Sequence, residues 1–232
     1  MAELALADGI THVIATPHAN NEFAFHLENN LRAARELAER LEGRLQVATG
    51  CDFHLSYENL EAAKESPQRF ALNQKNYLLV EFAEFALPPF LDEALLRLQK
   101  AGLQLIVTHP ERNPLVRAAP ERLLGWIERG CYVQITAQSL DGRFGPAAER
   151  AAFEYLERNW VHFVATDAHS LRSRPPRLRK AYDQVAARFG PETARALFLE
   201  NPLAAWNGAP LPHVAEPEPM PAASPRRRFF FF

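Results

Sequence analysis

The chain has 232 residues, and its 26 lysines and arginines against 28 aspartates and glutamates give a formal net charge of -2. Nothing in this balance requires a nucleic acid or an anionic membrane as partner. The two cysteines, Cys51 and Cys131, form no CxxC pair, which argues against a disulfide framework and for a reducing compartment. The sequence shows no signal peptide and no apolar stretch long enough for a membrane helix, so we expect a cytoplasmic protein without stable membrane insertion.

Short apolar runs alternate with helical stretches along the chain. The predicted strands are 11–18, 44–53, 76–82, 103–110, 131–136 and 161–167. The predicted helices are 26–43, 91–102, 120–130, 146–159, 177–189 and 191–199. Gly43, Gly102 and Gly130 stand where helices should end, in a position that favours a positive φ. This order predicts an α/β protein with a parallel sheet, either a barrel or a doubly wound sheet.

Both ends of the chain depart from this alternation. Residues 1–9 are typical of the end of a helix, so the chain opens inside a βα unit without the strand that should precede it. Prolines become frequent beyond Gly208, and we predict one domain over residues 1–206 followed by a disordered tail over 207–232. The terminal RRRFFFF is interpreted as an incidental extension, with a membrane or partner anchor as the alternative.

Histidines and carboxylates end five of the six predicted strands. They are His18, Asp52, Glu81, His109 and the pair Asp167 and His169. In parallel α/β sheets the carboxyl ends of the strands form the edge where active sites are built. These side chains suit zinc, manganese or iron, and although each alone is compatible with an ordinary loop role, their convergence predicts a metal centre.

Three of these positions carry further information. Glu81 interrupts the apolar run YLLVEF, where a buried carboxylate needs a cation or a hydrogen-bond network. Asp167 and His169 are two residues apart, so on a continuing strand they would face the same side. His54 has the same spacing from Asp52, but a metal role for it is not favoured.

Two arginines are candidates for binding a phosphoryl group. Arg112 lies three residues beyond His109, and Arg174 lies five residues beyond His169. A guanidinium fork matches the geometry of phosphate oxygens. Neither Cys51 nor Cys131 has an arginine six residues later, so a cysteine-based phosphatase loop is not present, and no GxSxG, Walker A or GxGxxG motif occurs.

Taken in order, GITHVIATPH, LLVEF, LIVTHPERN, GCYVQIT, VHFVATDAHS and RSRPP form a recognisable set. Over residues 1–206 the chain resembles the PHP-fold (polymerase and histidinol phosphatase) protein-tyrosine phosphatases of bacterial capsule and exopolysaccharide loci. The resemblance implies a distorted (β/α)7 barrel with a divalent metal cluster, manganese preferred and iron or zinc as alternatives. It also implies a partner, a tyrosine autokinase whose phosphotyrosine tail is the substrate and which controls polysaccharide synthesis. An oligomer is compatible with the sequence.

The resemblance assigns roles to individual positions. The metal ligands of the family fall on His18, Glu81, His109, Asp167 and His169. Asp52 stands where the family usually has glutamate, so its carboxylate reaches one methylene less far. The phosphate-binding arginines fall on Arg112 and Arg174, and His169 is also a candidate to protonate the leaving group.

One departure from the family is large. Its members begin with a strand carrying D-x-H-x-H and a loop with D-D-G, and this chain has neither, which explains six predicted strands instead of seven. Either Met1 is internal to a longer protein, the preferred explanation, or the chain is short, lacks three ligands and binds metal weakly or not at all. Two functional alternatives stay open: another phosphoesterase of this fold, of the histidinol-phosphate phosphatase type, or a catalytically impaired protein that binds the kinase.

Overall fold

A computed structural model describes residues 1–20 and 22–220, which form an α/β fold. Its strands are β1 (His12–Ala15), β2 (His18–Ala19), β3 (Gln46–Thr49), β4 (Asp52–His54), β5 (Tyr77–Glu81), β6 (Gln104–Thr108), β7 (Tyr132–Thr136) and β8 (Phe163–Ala165). The pairing is parallel throughout. One sheet has the order β2-β4-β5-β6-β7-β8, and β1 pairs with β3 in a second, two-stranded sheet. The predicted parallel α/β class is therefore confirmed.

Helices follow every strand except β1 and β3. They are α1 (Ala2–Ala7), α2 (Leu27–Arg40), α3 (Tyr57–Glu65), α4 (Leu91–Lys100), α5 (Pro114–Ala118), α6 (Pro120–Glu128), α7 (Pro146–Glu157), α8 (Arg179–Phe189), α9 (Pro191–Arg195) and α10 (Asn201–Asn207). A π-helical turn, Ala196–Glu200, joins α9 to α10, so the last helical region extends beyond the predicted end at residue 199. Helices α3 and α5 were not predicted from the sequence. Both start at side-chain caps, Ser56 and Asn113, whose oxygens accept backbone N–H groups of the first turn.

Two predicted strands are each divided into two. The run 11–18 splits into β1 and β2 at Pro17, which has no N–H to give to a neighbouring strand. The run 44–53 splits into β3 and β4 at Gly50, which lies against Leu72 so closely that a Cβ there would come within 3.0 Å of the Leu72 Cα. Because β1 pairs with β3 as β2 pairs with β4, the six predicted strand positions keep their chain order.

The sheet curls so that its first and last strands approach each other at their carboxyl ends. The rings of His18 on β2 and His169 beyond β8 have centroids 5.8 Å apart. Across a flat six-stranded sheet the edge strands would be roughly 24 Å apart. A second contact joins the two ends of the fold. The Asp8 carboxylate, which follows α1, accepts the N–H groups of Leu178 and Arg179 at the start of α8. Among the described residues β8 does not pair with β1 or β2, so a closed barrel is not established.

The central strands are buried on both faces, as is usual in parallel sheets. On one face Leu78, Val80, Leu105 and Val107 are fully buried against outer helices that supply large side chains such as Trp126, and on the other face Leu79 and Ile106 are buried in a second, smaller core. The carboxyl ends of these strands are thereby fixed by the rigid part of the molecule.

Residues 208–220 are more ordered than their proline content predicts. The Asn201 side chain donates to the His213 carbonyl at 2.8 Å, and the Trp160 indole donates to the Glu218 carbonyl at 2.9 Å. Both donors are fully buried residues of the main fold. The prediction of a disordered tail considered only the apolar surface of the segment, whereas residues 208–220 are contacted by hydrogen bonds to their backbone.

The rest of the predicted tail, residues 221–232 with the RRRFFFF terminus, lies outside the described residues. The domain boundary at residue 206 stays a prediction. None of the helices in the described part of the chain is both long enough and apolar enough to cross a bilayer.

Candidate metal and phosphate site

The carboxyl edge of the sheet gathers the predicted site residues. His18 and Asp52 lie on β2 and β4, where they are direct neighbours across the two strands, and Glu81 ends β5. His109 follows β6, while Asp167 and His169 follow β8. The edge is thus built from five strand ends, as the sequence predicts.

His18, Asp52 and Glu81 form the centre of this group. His18 Nδ1 lies 3.2 Å from Asp52 Oδ2 and 3.4 Å from Glu81 Oε2. One ligating atom of each residue lies within 4.8 Å of the others, which is compatible with a shared metal ion. Contact with Asp52 and then with Glu81 raises the pKa of His18 to about 10, because two carboxylates favour the imidazolium.

Two buried atoms of this group have no hydrogen-bond partner among the described residues. They are Asp52 Oδ1 and His18 Nδ1, the second of which lies at ion-pair distance from Asp52 Oδ2 and Glu81 Oε2 without hydrogen-bond geometry to either. Buried polar atoms are nearly always paired with protein, water or an ion. An imidazole nitrogen and a carboxylate oxygen that lack hydrogen bonds, on residues paired across neighbouring strands, fit a divalent cation of the zinc, manganese or iron type. The shorter side chain of Asp52 therefore still reaches the centre of the cluster.

Glu81 links the two sides of the cluster. Its Oε1 lies 3.4 Å from His109 Nε2, and its Oε2 lies near His18 and 3.9 Å from His54 Nδ1. Burial disfavours the ionised carboxyl, but the three histidines, His109 first, outweigh burial and lower the pKa of Glu81 below its usual range. Burial likewise opposes protonation of His109, yet Glu81 raises the pKa of that imidazole. A buried, ionised glutamate is the environment that its position in YLLVEF predicts.

Asp167 forms a second, cationic part of the site. Its Oδ2 accepts hydrogen bonds from Arg112 Nη1 and from Arg174 Nη2, and Arg174 Nε also donates to the Asp167 carbonyl at 3.2 Å. Arg112 is further 3.4 Å from the hydroxyl of Thr136 at the end of β7. The two arginines predicted from spacing alone are thus brought together on one carboxylate.

Asp167 and His169 do lie together, but the predicted reason is wrong. Strand β8 ends at Ala165, and Asp167 has a φ of 46°, so the alternation of side chains along a strand does not apply. A turn brings His169 Nδ1 to 2.9 Å from the Asp167 carbonyl and 3.5 Å from its Oδ1. The turn is closed by the His169 N–H, which donates to the Arg174 carbonyl at 2.9 Å.

His109 is the other site residue with an unusual backbone. Its φ is 36°, and its N–H donates to the Gln134 carbonyl of β7 at 2.7 Å. A positive φ costs a residue with a Cβ conformational energy, and such residues cluster at functional sites. His109 and Asp167, the two site residues with a positive φ, are both predicted metal ligands.

The chain matches the family described as "Capsular polysaccharide synthesis, CpsB/CapC" over residues 1–206. It belongs to the CpsB/CapC family. The resemblance to tyrosine phosphatases of capsule loci, inferred from the motifs, is thereby confirmed.

Curated relatives of the chain are named as tyrosine-protein phosphatases. This CpsB/CapC chain is 34% identical over 199 residues to the tyrosine-protein phosphatase YwqE of Bacillus subtilis, covering 83% of this chain and 77% of YwqE. It is 29% identical over 205 residues to the tyrosine-protein phosphatase CpsB of Streptococcus pneumoniae, covering 84% of this chain and 83% of CpsB.

A solved structure gives the same picture in three dimensions. The fold matches a crystal structure from work on B. subtilis YwqE and S. pneumoniae CpsB, described as "unique metal-dependent tyrosine phosphatases". The TM-score is 0.86 at 30% identity, with 96% of this chain and 90% of the other covered. At that similarity the CpsB/CapC chain shares the α/β fold of these proteins.

Cysteine chemistry has no support in this CpsB/CapC chain. Cys51 and Cys131 are both buried. Burial raises the pKa of the Cys131 thiol to about 12 and that of Cys51 further still. A buried thiol that resists ionisation is a poor nucleophile.

Sequence reasoning missed two residues that support the site. Glu111 is fully buried, and its Oε1 accepts the Thr136 N–H at 2.9 Å and the Ser139 hydroxyl at 2.7 Å, which fixes the loop beyond β6 to the end of β7. The Phe144 ring lies beneath both arginines of the CpsB/CapC site. A glutamate within the strand-end motif HPERN was a sign of the role of Glu111. Nothing local in GRFG indicated the role of Phe144.

Proposed function

We propose that this chain is a metal-dependent protein-tyrosine phosphatase of the capsule and exopolysaccharide type. The observation that carries the proposal is the pairing of two sites at one edge of the sheet. Three potential metal ligands lie within 4.8 Å of one another, and two arginines converge beside them on Asp167. The names of YwqE and CpsB, both tyrosine-protein phosphatases, support the same activity here.

The metal would be held first by His18, Asp52 and Glu81, whose atoms fit a divalent cation. His109, Asp167 and His169 are the further ligands that the family resemblance assigns. When bound, a divalent cation supplies Lewis acidity toward a phosphoryl group and lowers the pKa of a water molecule. Manganese is the preferred metal in this proposal, with iron or zinc as alternatives.

The arginines would bind the phosphoryl group itself. Arg112 and Arg174 each offer a planar fork that can give two hydrogen bonds to phosphate oxygens. In the transition state, charge spreads over the equatorial oxygens, so two adjacent guanidiniums would stabilise it electrostatically. To do so they must move from Asp167 toward the substrate.

His169 is placed to assist the leaving group. Its side chain is 41% exposed, more than those of the other ligand candidates, and its Nδ1 lies 3.5 Å from Asp167 Oδ1. A phenol is a comparatively good leaving group because its pKa is about 10. A single proton donor at the mouth of the site would therefore be sufficient for phosphotyrosine.

We further propose that the substrate is the phosphotyrosine tail of a tyrosine autokinase that regulates capsule synthesis, and that the protein acts in the cytoplasm. The membership in a capsular polysaccharide family supports this proposal. A protein that only bound the kinase through Arg112 and Arg174 would have the same partner without turnover.

The test is release of phosphate by the protein loaded with manganese. We expect it to hydrolyse a phosphotyrosine peptide faster than histidinol phosphate, and His109→Ala to remove most of the activity. His12→Ala is the matched control, because His12 is exposed at the opposite end of its strand. Faster hydrolysis of histidinol phosphate would favour the other phosphoesterase of this fold. A chain that takes up no metal and binds the phosphopeptide without turnover would favour the regulatory protein.

A further inference from the structure

Phe144 lies where the two arginines of the site meet. The Cζ of Arg112 is 4.3 Å from the centroid of the Phe144 ring, and that of Arg174 is 5.9 Å from it. Both distances are within the range of a cation–π interaction. Phe144 is the residue through which Arg112, from the loop after β6, and Arg174, from the loop after β8, share a contact besides Asp167.

Asp167 alone does not explain how two guanidiniums remain side by side. Both donate to the same oxygen, Oδ2, so one negative charge is shared between two positive ones. Like charges repel, and the contact with Asp167 must be given up when the arginines turn toward a phosphoryl group. A neutral ring attracts the flat face of a guanidinium and leaves the N–H groups at its edge free to bind an anion.

The loop that carries Phe144 is built to hold the ring in place. Gly142 and Gly145 flank it with φ values of 70° and 87°, which a residue with a Cβ rarely adopts. The Arg143 guanidinium donates to the Ser173 carbonyl at 3.0 Å, so the loop is tied to the residue that precedes Arg174. The ring and the turn bearing Arg174 therefore form one connected unit.

We propose that Phe144 is a positioning residue of the phosphatase. Its ring is a platform on which Arg112 and Arg174 stay paired while their hydrogen bonds exchange from Asp167 to the oxygens of the phosphoryl group. This inference rests on the proposed function, since it assigns both arginines to phosphate. It adds a residue from the loop after β7, a strand that supplies no metal ligand to the site.

The direct test is binding of inorganic phosphate, measured by titration calorimetry on the full chain. We expect Phe144→Leu to weaken phosphate binding about tenfold or more, since two cation–π contacts are lost. Phe144→Tyr keeps an aromatic ring and should bind phosphate within about threefold of the wild type. Phe153→Leu is the matched control, because Arg188 lies 4.5 Å from the Phe153 ring and this pair lies between α7 and α8. It should bind phosphate as the wild type does.

A second measurement asks whether Phe144 acts through the arginines. In a double variant, Arg112→Gln with Phe144→Leu, the loss of phosphate affinity should be smaller than the sum of the two single losses in free energy. With phosphotyrosine peptide, Phe144→Leu should lower kcat/KM while Phe144→Tyr recovers it. A leucine variant whose thermal unfolding matches the wild type but whose phosphate affinity is unchanged would overturn the inference, as would strictly additive losses.

The two hypotheses fail in different ways. If the wild type releases no phosphate from the peptide, the proposed function fails, and the phosphate titrations still decide the role of Phe144. If the wild type is active and Phe144→Leu is equally active with equal phosphate affinity, only the positioning role fails. A wild type that binds no inorganic phosphate overturns the positioning role directly.

Discussion

Arg112 and Arg174 donate to the same oxygen of Asp167, although they come from loops that follow different strands. In this arrangement the carboxylate neutralises the two side chains that would bind a phosphoryl group. Asp167 is also a proposed metal ligand, so a cation and the arginines compete for it. Occupation by a cation would release the guanidiniums for the substrate, which couples the two halves of the site through one residue.

This coupling predicts an unusual phenotype for Asp167→Asn. Without the carboxylate, both guanidiniums are free, so the variant should bind inorganic phosphate several-fold more tightly than the wild type in metal-free buffer. The same change removes a ligand charge and should lower phosphatase activity by about 100-fold or more. Titration calorimetry and a phosphopeptide assay measure the two effects. Asp183→Asn, an exposed position on α8, is the control, and weaker phosphate binding by Asp167→Asn would contradict the coupling.

Glu81→Gln tests the link between the two sides of the cluster. The amide keeps the size of the side chain but loses the charge that faces His18, His54 and His109. We expect the purified variant to hold less metal per chain and to lose activity by about 100-fold or more. Glu36→Gln changes an exposed glutamate on α2 and should leave both quantities unchanged. Metal content can be measured by mass spectrometry, and full occupancy in Glu81→Gln would remove Glu81 from the ligand set.

Glu111 should matter for stability through its hydrogen bonds more than through its charge. Burial raises the pKa of this carboxyl, and its Oε1 accepts from Thr136 and Ser139. Glu111→Gln keeps an acceptor and should cost about 1 kcal/mol or less, whereas Glu111→Ala strands two buried donors and should cost roughly 2–4 kcal/mol. Urea unfolding measures both, with the exposed Glu128→Ala as reference. Equal losses for the two Glu111 variants would show that the charge, which both changes remove, dominates.

His162 should make the fold sensitive to mild acid. Burial lowers its pKa to about 4, and its Nδ1 accepts the Val133 N–H at 3.1 Å. Below about pH 6.5 the unfolded chain binds a proton at His162 while the folded chain does not. The stability that depends on a neutral His162 is therefore complete above that pH. It should decline as the pH falls toward 4, by about 3 kcal/mol in total. Urea unfolding across this range should show a flatter profile for His162→Asn, which keeps an acceptor that does not titrate. Parallel profiles for the two proteins would exclude the effect.

Much of the site was predictable because its residues are local to strand ends. His18, Asp52 and His109 each terminate an apolar run, and a parallel sheet brings such ends to one edge whatever the connecting helices do. The same argument fails for contacts made between loops. The sharing of Asp167 by two arginines depends on turns whose geometry no short motif specifies.

The fold was predictable at the level of its order and less so in its detail. Helix α3 carries a Ser56 cap that could have been read, since serine before a helical stretch is a known starting pattern. The division of the first two strands depends on Pro17 and on the close approach of Leu72 to Gly50, and the second of these is a long-range contact. The order in residues 208–220 likewise comes from buried donors far away in the sequence.

The positive φ values at His109 and Asp167 connect this site to the evolution of the protein. Each is worth of order 1–3 kcal/mol of conformational energy that the rest of the fold must offset. A glycine at either position would relieve that energy while removing a proposed ligand, so selection for thermostability alone should drive both residues out. Their presence together therefore offers a simple criterion among relatives: a chain that keeps a histidine and an aspartate in these two conformations is still under selection for chemistry.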